Sequence, residues 1–407
     1  MRLSFLIFIP AILGACTAHD DVVDHTFREY WDQGIRIAET QHAPRYEGEL
    51  FEYIQVLQIA EDTRTPSSYL ADPGDFVRDD NGIYYVPDKR DRRIVVFDSG
   101  GRYIRDFSRR GSGPGEFQSI EIQSIHGDQI SLFDTNLDRT TVFNTNGELK
   151  GVYSVPSATN PLENLFRTND GILIGTKYEY ERGSEVDRRR LIAVAYSSEG
   201  DTQAHWNTDL VETYYKFQTM DGGRHGRSFD FCGHPIARYD PISNRILLSS
   251  GIERVLRWYL PSGELDQIIR LDIPLDPITA SDKAPIIQLR DNMVQNSEGT
   301  AKAFQKAMRE GLRFLEFKGV ASNVHVDDRS YIWIAVPENI SDPTWPGRFL
   351  YQVVDPQGRY LGETRLPRRI GFVIDGCVLL VMPDRETGAS VPTVFQLSPI
   401  PSDLEYY

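Results

Sequence analysis

The chain is poor in cysteine, with three in 407 residues, at Cys16, Cys232 and Cys377. No two stand in a Cys-x-x-Cys pair, which excludes a zinc-finger site and a thioredoxin-like motif. A membrane-spanning run is also missing near the start. The apolar stretch from Phe5 to Leu13 is about half of the roughly 20 residues that cross a bilayer. Positive charge is in deficit, with 44 Lys and Arg against 59 Asp and Glu and a net charge of −15. Such a chain repels nucleic acid, which is excluded as a bulk partner. Catalytic signatures are absent too: there is no Gly-x-Ser-x-Gly elbow, no His-Glu-x-x-His and no phosphate loop. His225, Cys232 and His234 are zinc-ligand types, but their spacing matches no established cluster. No metal and no cofactor is therefore expected.

What is present begins with an export signal. Arg2, the apolar run and the small residues Gly14-Ala15 are the three parts of a secretory leader. Leu13-Gly14-Ala15-Cys16 resembles the lipobox of bacterial lipoproteins. The resemblance implies cleavage between Ala15 and Cys16, acylation of Cys16 and a membrane anchor of two or three chains. By the same likeness, Thr17 after the cysteine points to the outer membrane. Residues 1–15 are then the signal peptide and 16–49 a lipid-anchored tether.

Beyond the tether the chain repeats itself. An aromatic or Val closes a β-rich run and Gly follows four residues later, at Phe97/Gly101, Phe143/Gly147, Tyr196/Gly200, Tyr259/Gly263 and Val354/Gly358. Each reads as a hairpin whose Gly needs positive φ. Another pair of short strands precedes each copy, with turns such as Asp80-Asn81-Gly82 and Asn169-Asp170-Gly171. Four short antiparallel strands per unit is the pattern of a propeller blade. A sixth unit, from Gly371 to Leu397, runs out before its fourth strand. Tyr53–Ile59 has no hairpin partner and is available to complete it. The expectation is an all-β fold: a six-bladed β-propeller over residues 50–400, closed by the N-terminal strand. Residues 401–407 remain as a C-terminal tail. Phe97-Asp98 with Gly101, followed by Gly111-Ser112-Gly113-Pro114-Gly115-Glu116-Phe117, resembles an NHL repeat. The group it is most similar to is the six-bladed propeller lipoproteins of bacteria. The likeness is sharp over 76–150, looser from 165 to 400 and absent from 17 to 49, with long insertions in blades three to five. In that context the glycine-rich stretch is a blade crossing, not a nucleotide cradle.

Strand phase sorts the loops onto two faces. Turns within the inner and outer strand pairs are uniformly short. The other connections hold residues 107–117, 176–190, 208–235, 274–320 and 337–348, so one face carries the elaboration and is the expected working face. The insertion at about 277–316, between blades four and five, reads as two helices, the first capped by Ser281. Arg90, Arg110, Tyr178, Tyr180, Arg189, Arg224, His225, His234 and Trp345 are the candidate ligand-binding residues of this face. Guanidinium suits carboxylate or phosphate, and aromatic faces suit sugar rings or peptide side chains. Arg93, Arg139, Arg190, Arg254 and Arg348 recur at the start of each third strand and are expected to tie blades together. His126, Arg78, Arg167, Arg238 and His325 fall near inner strands. The expected function is a non-catalytic module at the cell envelope, binding an anionic, glycan or peptide ligand or an envelope protein. The alternative is a lyase or hydrolase with a divalent metal on the central axis. Anchoring is directly testable: Cys16→Ser should move the protein from the membrane fraction to the soluble fraction. Retention after a carbonate wash would contradict the lipobox.

Overall fold

The computed structural model describes residues 27–41, 43–59, 65–155, 162–183, 186–197, 202–218, 224–229, 231, 233–336, 349–384 and 387–406. They form six radial sheets, antiparallel within each blade, and a two-stranded parallel ladder joining Arg109–Arg110 to Glu116–Phe117 in the first crossing. Blade one is Val77–Arg78, Tyr84–Asp88, Arg93–Phe97 and Tyr103–Phe107; blade two is Glu121–His126, Gln129–Asp134, Arg139–Asn144 and Leu149–Ser154. Blade three has Leu162–Arg167, Leu173–Arg182, Val186–Tyr196, Thr202–Gln218 and a fifth strand, Arg224–Ser228. Blade four is Ile236–Asp240, Arg245–Ser249, Val255–Tyr259 and Leu265–Asp272; blade five is Asn323–Val326, Ile332–Ala335, Phe349–Val354 and Tyr360–Leu366. Blade six takes Phe372–Ile374, Cys377–Pro383 and Ser390–Pro399 from the C-terminal end, and its outermost strand is Phe51–Gln58. The fold is thus the expected six-bladed propeller, closed by the N-terminal strand.

The repeated motif is a bulged hairpin. In five blades the register shifts at the repeat residue: Phe97, Phe143, Tyr196, Tyr259 and Val354. Gly101, Gly147, Gly263 and Gly358 have φ of 76°, 82°, 89° and 92°, while Gly200 lies outside the described residues. Positive φ alone favours Gly, and the neighbours add a second reason. A Cβ at Gly147 would come within 3.0 Å of the Phe107 ring, and one at Gly358 within 2.6 Å of the Ala38 Cβ. At Gly101, Gly147 and Gly358 the repeat glycine therefore marks where a blade's outer turn touches the blade before it.

Side-chain alternation explains why the central strands are apolar on both faces. Tyr84, Val86, Val95 and Phe97 pack toward blade six, whereas Tyr85, Ile94 and Val96 pack toward blade two. The same division gives one apolar cluster at each of the six blade interfaces. Buried carboxylates organise the loops between. Asp88 and Asp134, fully buried at equivalent strand ends, each accept four backbone N–H bonds. Through them the blade crossing and the adjoining turn share one anion. Arg93 and Arg139 clamp the crossings as expected, donating to the carbonyls of Ser67 and Tyr69 and of Ser112, Gly113 and Glu116.

Two segments differ from expectation. Within the supposed tether, Phe27–Asp32 and Ile35–Gln41 form a hairpin, and Ile35–Gln41 pairs in parallel with the outer strand of blade four. Gln33 and Gly34 at its turn both have positive φ. That is the hairpin geometry whose twist matches its strands. From there the backbone bonds along blade five, through Arg45, Tyr46 and Leu50 to Tyr360, Leu361 and Glu363, before entering blade six. The N-terminal segment is a belt over three sheet edges, because open edges of long strands are a liability that a protein covers. The C-terminal tail is likewise structural. Leu404 and Tyr406 are buried, and Tyr406 Oη donates to Asp327 Oδ2 at 2.7 Å. Asp327 also accepts from Trp333 Nε1 and from the amides of Arg329 and Tyr331, and burial still pushes its carboxyl up to about 6.

Chains beginning at residue 27, 43 and 60 should separate these roles in thermal melts. Losing the hairpin uncovers only one edge, whereas losing Phe51–Gln58 opens the ring. The third chain should melt lower than the second by on the order of 10 °C. Equal melting of those two would refute closure as the stabilising contact.

Candidate functional site

The long-loop face is built from blade three and the helical insertion. Three strands of blade three run to ten, eleven and seventeen residues, against four to seven in most other strands. They project from the disc as a fin. Tyr178 pairs with Leu191, Glu179 with Arg190, Tyr180 with Arg189 and Glu181 with Arg188. Period-two alternation puts Tyr178 and Tyr180 on one face of the fin. Tyr178 is buried at its root, its Oη donating to Pro235 O, and the Arg189 guanidinium lies 4.1 Å from its ring centroid. Tyr180 is 59 % exposed. With Glu179, Glu181, Arg188 and Arg190 it lines a hollow of about 480 Å³. Lys216 stiffens the fin near its tip, bonding Gly183 O and pairing with Asp187 at 2.9 Å.

Beside the fin stand α1 (Ala280–Gln295) and α2 (Gly299–Glu310). The cap of α1 is Thr279 rather than Ser281, because Asp282 reaches back to complete a reciprocal capping box. Ile286 seats α1 over Phe231 and Ile278, with Leu312, Phe314 and Leu315 alongside, and Arg309 ties α2 to Asp291 at 2.7 Å. α2 touches the long strand Thr202–Gln218, so helices and fin meet on one side of the disc.

The candidate residues do not all converge. Tyr178, Tyr180 and Arg189 share the fin. Exposed Arg90 and Arg110 meet each other at the first crossing, where Arg110 Nη2 donates to Arg90 O. His234 is half-buried, with its amide on Ala321 O. Arg224 and His225 lie on the fifth strand of blade three, their side chains outside the described residues, as are Trp345, Cys232, Ala15 and Cys16. Sequence reasoning missed the contribution of Glu179 and Glu181. Their alternation with the two tyrosines was the available signal, placing them on the fin's opposite face with Arg188 and Arg190 across from them.

The inner strands bring Arg78, His126, Arg167, Arg238 and His325 to the central channel. On the short-turn side the channel opens into a cavity of about 330 Å³, lined among others by Arg78, Gln123, His126, Tyr239, Asp328 and Phe372. A smaller hollow of about 150 Å³ adjoins it at Arg167, Thr168 and Asn169. Deeper in, Arg238 Nη2 donates to Asn323 Oδ1 at 2.6 Å, and the Asn323 amide meets His325 Nε2 at 3.0 Å. Burial, with Arg238 and Arg369 nearby, pushes His325 down to about 3. Among the described residues no group of three or more His, Cys, Asp or Glu is placed to hold a metal.

Against this geometry, a family profile described as a 6-bladed β-propeller matches residues 49–217. No curated protein matches the chain in sequence. Among solved structures, a protein of Bacteroides fragilis described as exported aligns with a TM-score of 0.51 at 10 % identity, over 89 % of this chain and 99 % of its own. A member of the duf4221 family from Bacteroides vulgatus aligns at 0.42 and 12 %, over 86 % and 99 %. Virginiamycin B lyase from Staphylococcus aureus aligns at 0.39 and 10 %, over 86 % and 100 %. The first of these likenesses supports the fold, and the two lower scores carry no inference about chemistry. The chain is a six-bladed β-propeller.

The depressed imidazole has a consequence for acid stability. Its folded value lies below the ordinary 6.5, so the unfolded chain takes up the proton first and stability falls as pH drops from about 6.5 toward 3. Between pH 7 and pH 5, denaturant titrations of the native chain should lose roughly 1–2 kcal/mol more than those of His325→Gln. Parallel losses in the two proteins would show that His325 titrates normally.

Proposed function

We propose that this chain is an exported, lipid-anchored propeller, similar to NHL-repeat lipoproteins, that binds a ligand or partner without catalysis through its long-loop face. Acylation at Cys16 holds it to the cell envelope, at the outer membrane. The observation that carries the reading is the asymmetry of the disc. One face is bounded by a single repeated tight turn, with the same pair of backbone bonds at Asp79/Gly82, Asp98/Gly101, Asn144/Gly147, Thr168/Gly171, Leu260/Gly263 and Asp355/Gly358. The fin and the helical pair rise from the other. Elements that cost chain length without closing the ring have their use outside the core, and loops on a rigid scaffold are where binding concentrates. The alternating charges and tyrosine around the hollow at Tyr180 suit a peptide, a glycan or an envelope protein, with the acidic chain disfavouring nucleic acid. The export signal and the likeness to an exported propeller support the location.

A photo-crosslinking amino acid placed at Tyr180, and separately at Ser99 in a short turn, tests this in the producing cells. Position 180 should give a discrete adduct and position 99 none. Adducts from position 99 alone, or from neither position, would overturn the choice of face.

A further inference from the structure

We propose that the central channel contains an oxyanion-binding site built on Arg238, Asn323 and His325, taking the carboxylate or phosphate group of a small molecule. The site lies in the channel, apart from the fin, and does not depend on the ligand proposed for the fin.

Arg238 stands mid-way along the innermost strand of blade four, half-exposed. An inner strand has blade cores on both faces, so exposure at its middle is exposure to the channel. The hydrogen bonds of its guanidinium go to neutral oxygens, its own Ala237 O at 2.8 Å and Asn323 Oδ1 at 2.6 Å. No carboxylate among the described residues lies within ion-pair distance of it. Arg93 pairs with Asp106 and Arg245 with Asp266, while Arg139 and Arg254 bond neutral oxygens in the blade crossings; Arg238 differs from all four in standing on an innermost strand, facing the channel. A guanidinium withdrawn from bulk water without a counter-charge is unfavourable, and an anion relieves it.

The surrounding hydrogen bonds fix the polarity of the site. Asn323 Oδ1 accepts from Arg238 and from the Val324 amide, so the Asn323 Nδ2 group is the donor toward His325. His325 Nε2 is then an acceptor, and its proton resides on Nδ1. The chain Arg238–Asn323–His325 thus consumes acceptors internally and leaves N–H groups, from Arg238 and from His325 Nδ1, for a ligand. More distant charges agree. Arg369 acts on His325, and Asp75, the carboxylate whose field reaches Arg238, is itself flanked by Lys89, Arg368 and Arg369, with Glu121 opposing. Cations outnumber carboxylates here in a chain whose net charge is −15. The cavity of about 330 Å³ on the short-turn side is lined by Tyr239 and Val326, the residues that follow Arg238 and His325 in their strands, and not by the three site residues themselves.

The test is thermal melting and calorimetric titration of the Cys16→Ser chain with sodium phosphate and, separately, sodium succinate, each against sodium chloride at equal ionic strength. A ligand of the folded state raises the melting temperature in proportion to its binding. The expected result is a rise with at least one oxyanion that is absent in Arg238→Met. In chloride Arg238→Met should melt at or above the parent, since it removes an uncompensated charge. A response to phosphate alone or to succinate alone identifies the group recognised. Arg238→Lys, which keeps the charge and loses the fork, should weaken binding at least tenfold and serves if the Met variant does not fold. Equal rises in parent and variants, or no rise with either oxyanion, would overturn the site.

Discussion

The backbone pairing of Phe51–Gln58 with Ser390–Pro399 joins the two ends of the chain and turns a row of sheets into a ring. Every other feature depends on it. Each blade buries its apolar residues only against its neighbours, so six interfaces exist only if the last blade meets the first. Tyr84, Val86, Val95 and Phe97 of blade one find their partners in Cys377, Leu379 and Val394 of blade six. Without closure both groups would face water, at a cost of about 25 cal/mol for each Å² of apolar surface exposed.

The chain invests further in the same junction from both ends. The belt from Phe27 to Leu50 covers the outer edges of blades four and five before the closing strand begins. At the other terminus Tyr406 packs edge-on against Phe51 and Trp333 and donates to Asp327, while Arg329 donates to the Tyr406 carbonyl. Closing strand, blade five and C-terminal residues therefore share one cluster. Buried carboxylates serve this design because they satisfy several backbone N–H groups at once, as Asp88, Asp134 and Asp327 do. The Arg238 guanidinium, bonded only to neutral oxygens, stands on an innermost strand and faces the channel rather than a blade crossing.

Much of the architecture was legible in the residues because a propeller repeats a local rule. A register shift at an aromatic or Val and a glycine four residues later are set by neighbours in sequence, so five copies at the same spacing announced five blades. The helical insertion was visible for the same reason, although the choice between Ser281 and Thr279 as cap depended on where Asp282 turned. Tyr178 and Arg189 were singled out separately, and the fin stacks them. Arg90, Arg110 and His234 were singled out by residue type alone; the fold leaves Arg90 and Arg110 apart from the fin, while His234 precedes Pro235, whose carbonyl accepts from Tyr178 at the fin's root.

By itself the sequence determined the class, the number of blades, the closing strand and the face that carries long loops. All of these follow from periodicity and turn chemistry, which act over a few residues. Only the tertiary structure decided that Ile35–Gln41 lies along blade four, that Tyr406 seals Asp327, and that Arg238 meets Asn323 across 85 positions of chain. Such contacts join residues with no common repeat. Their partners are chosen by which sheet edge stands open and which buried polar group lacks a bond once the ring has closed.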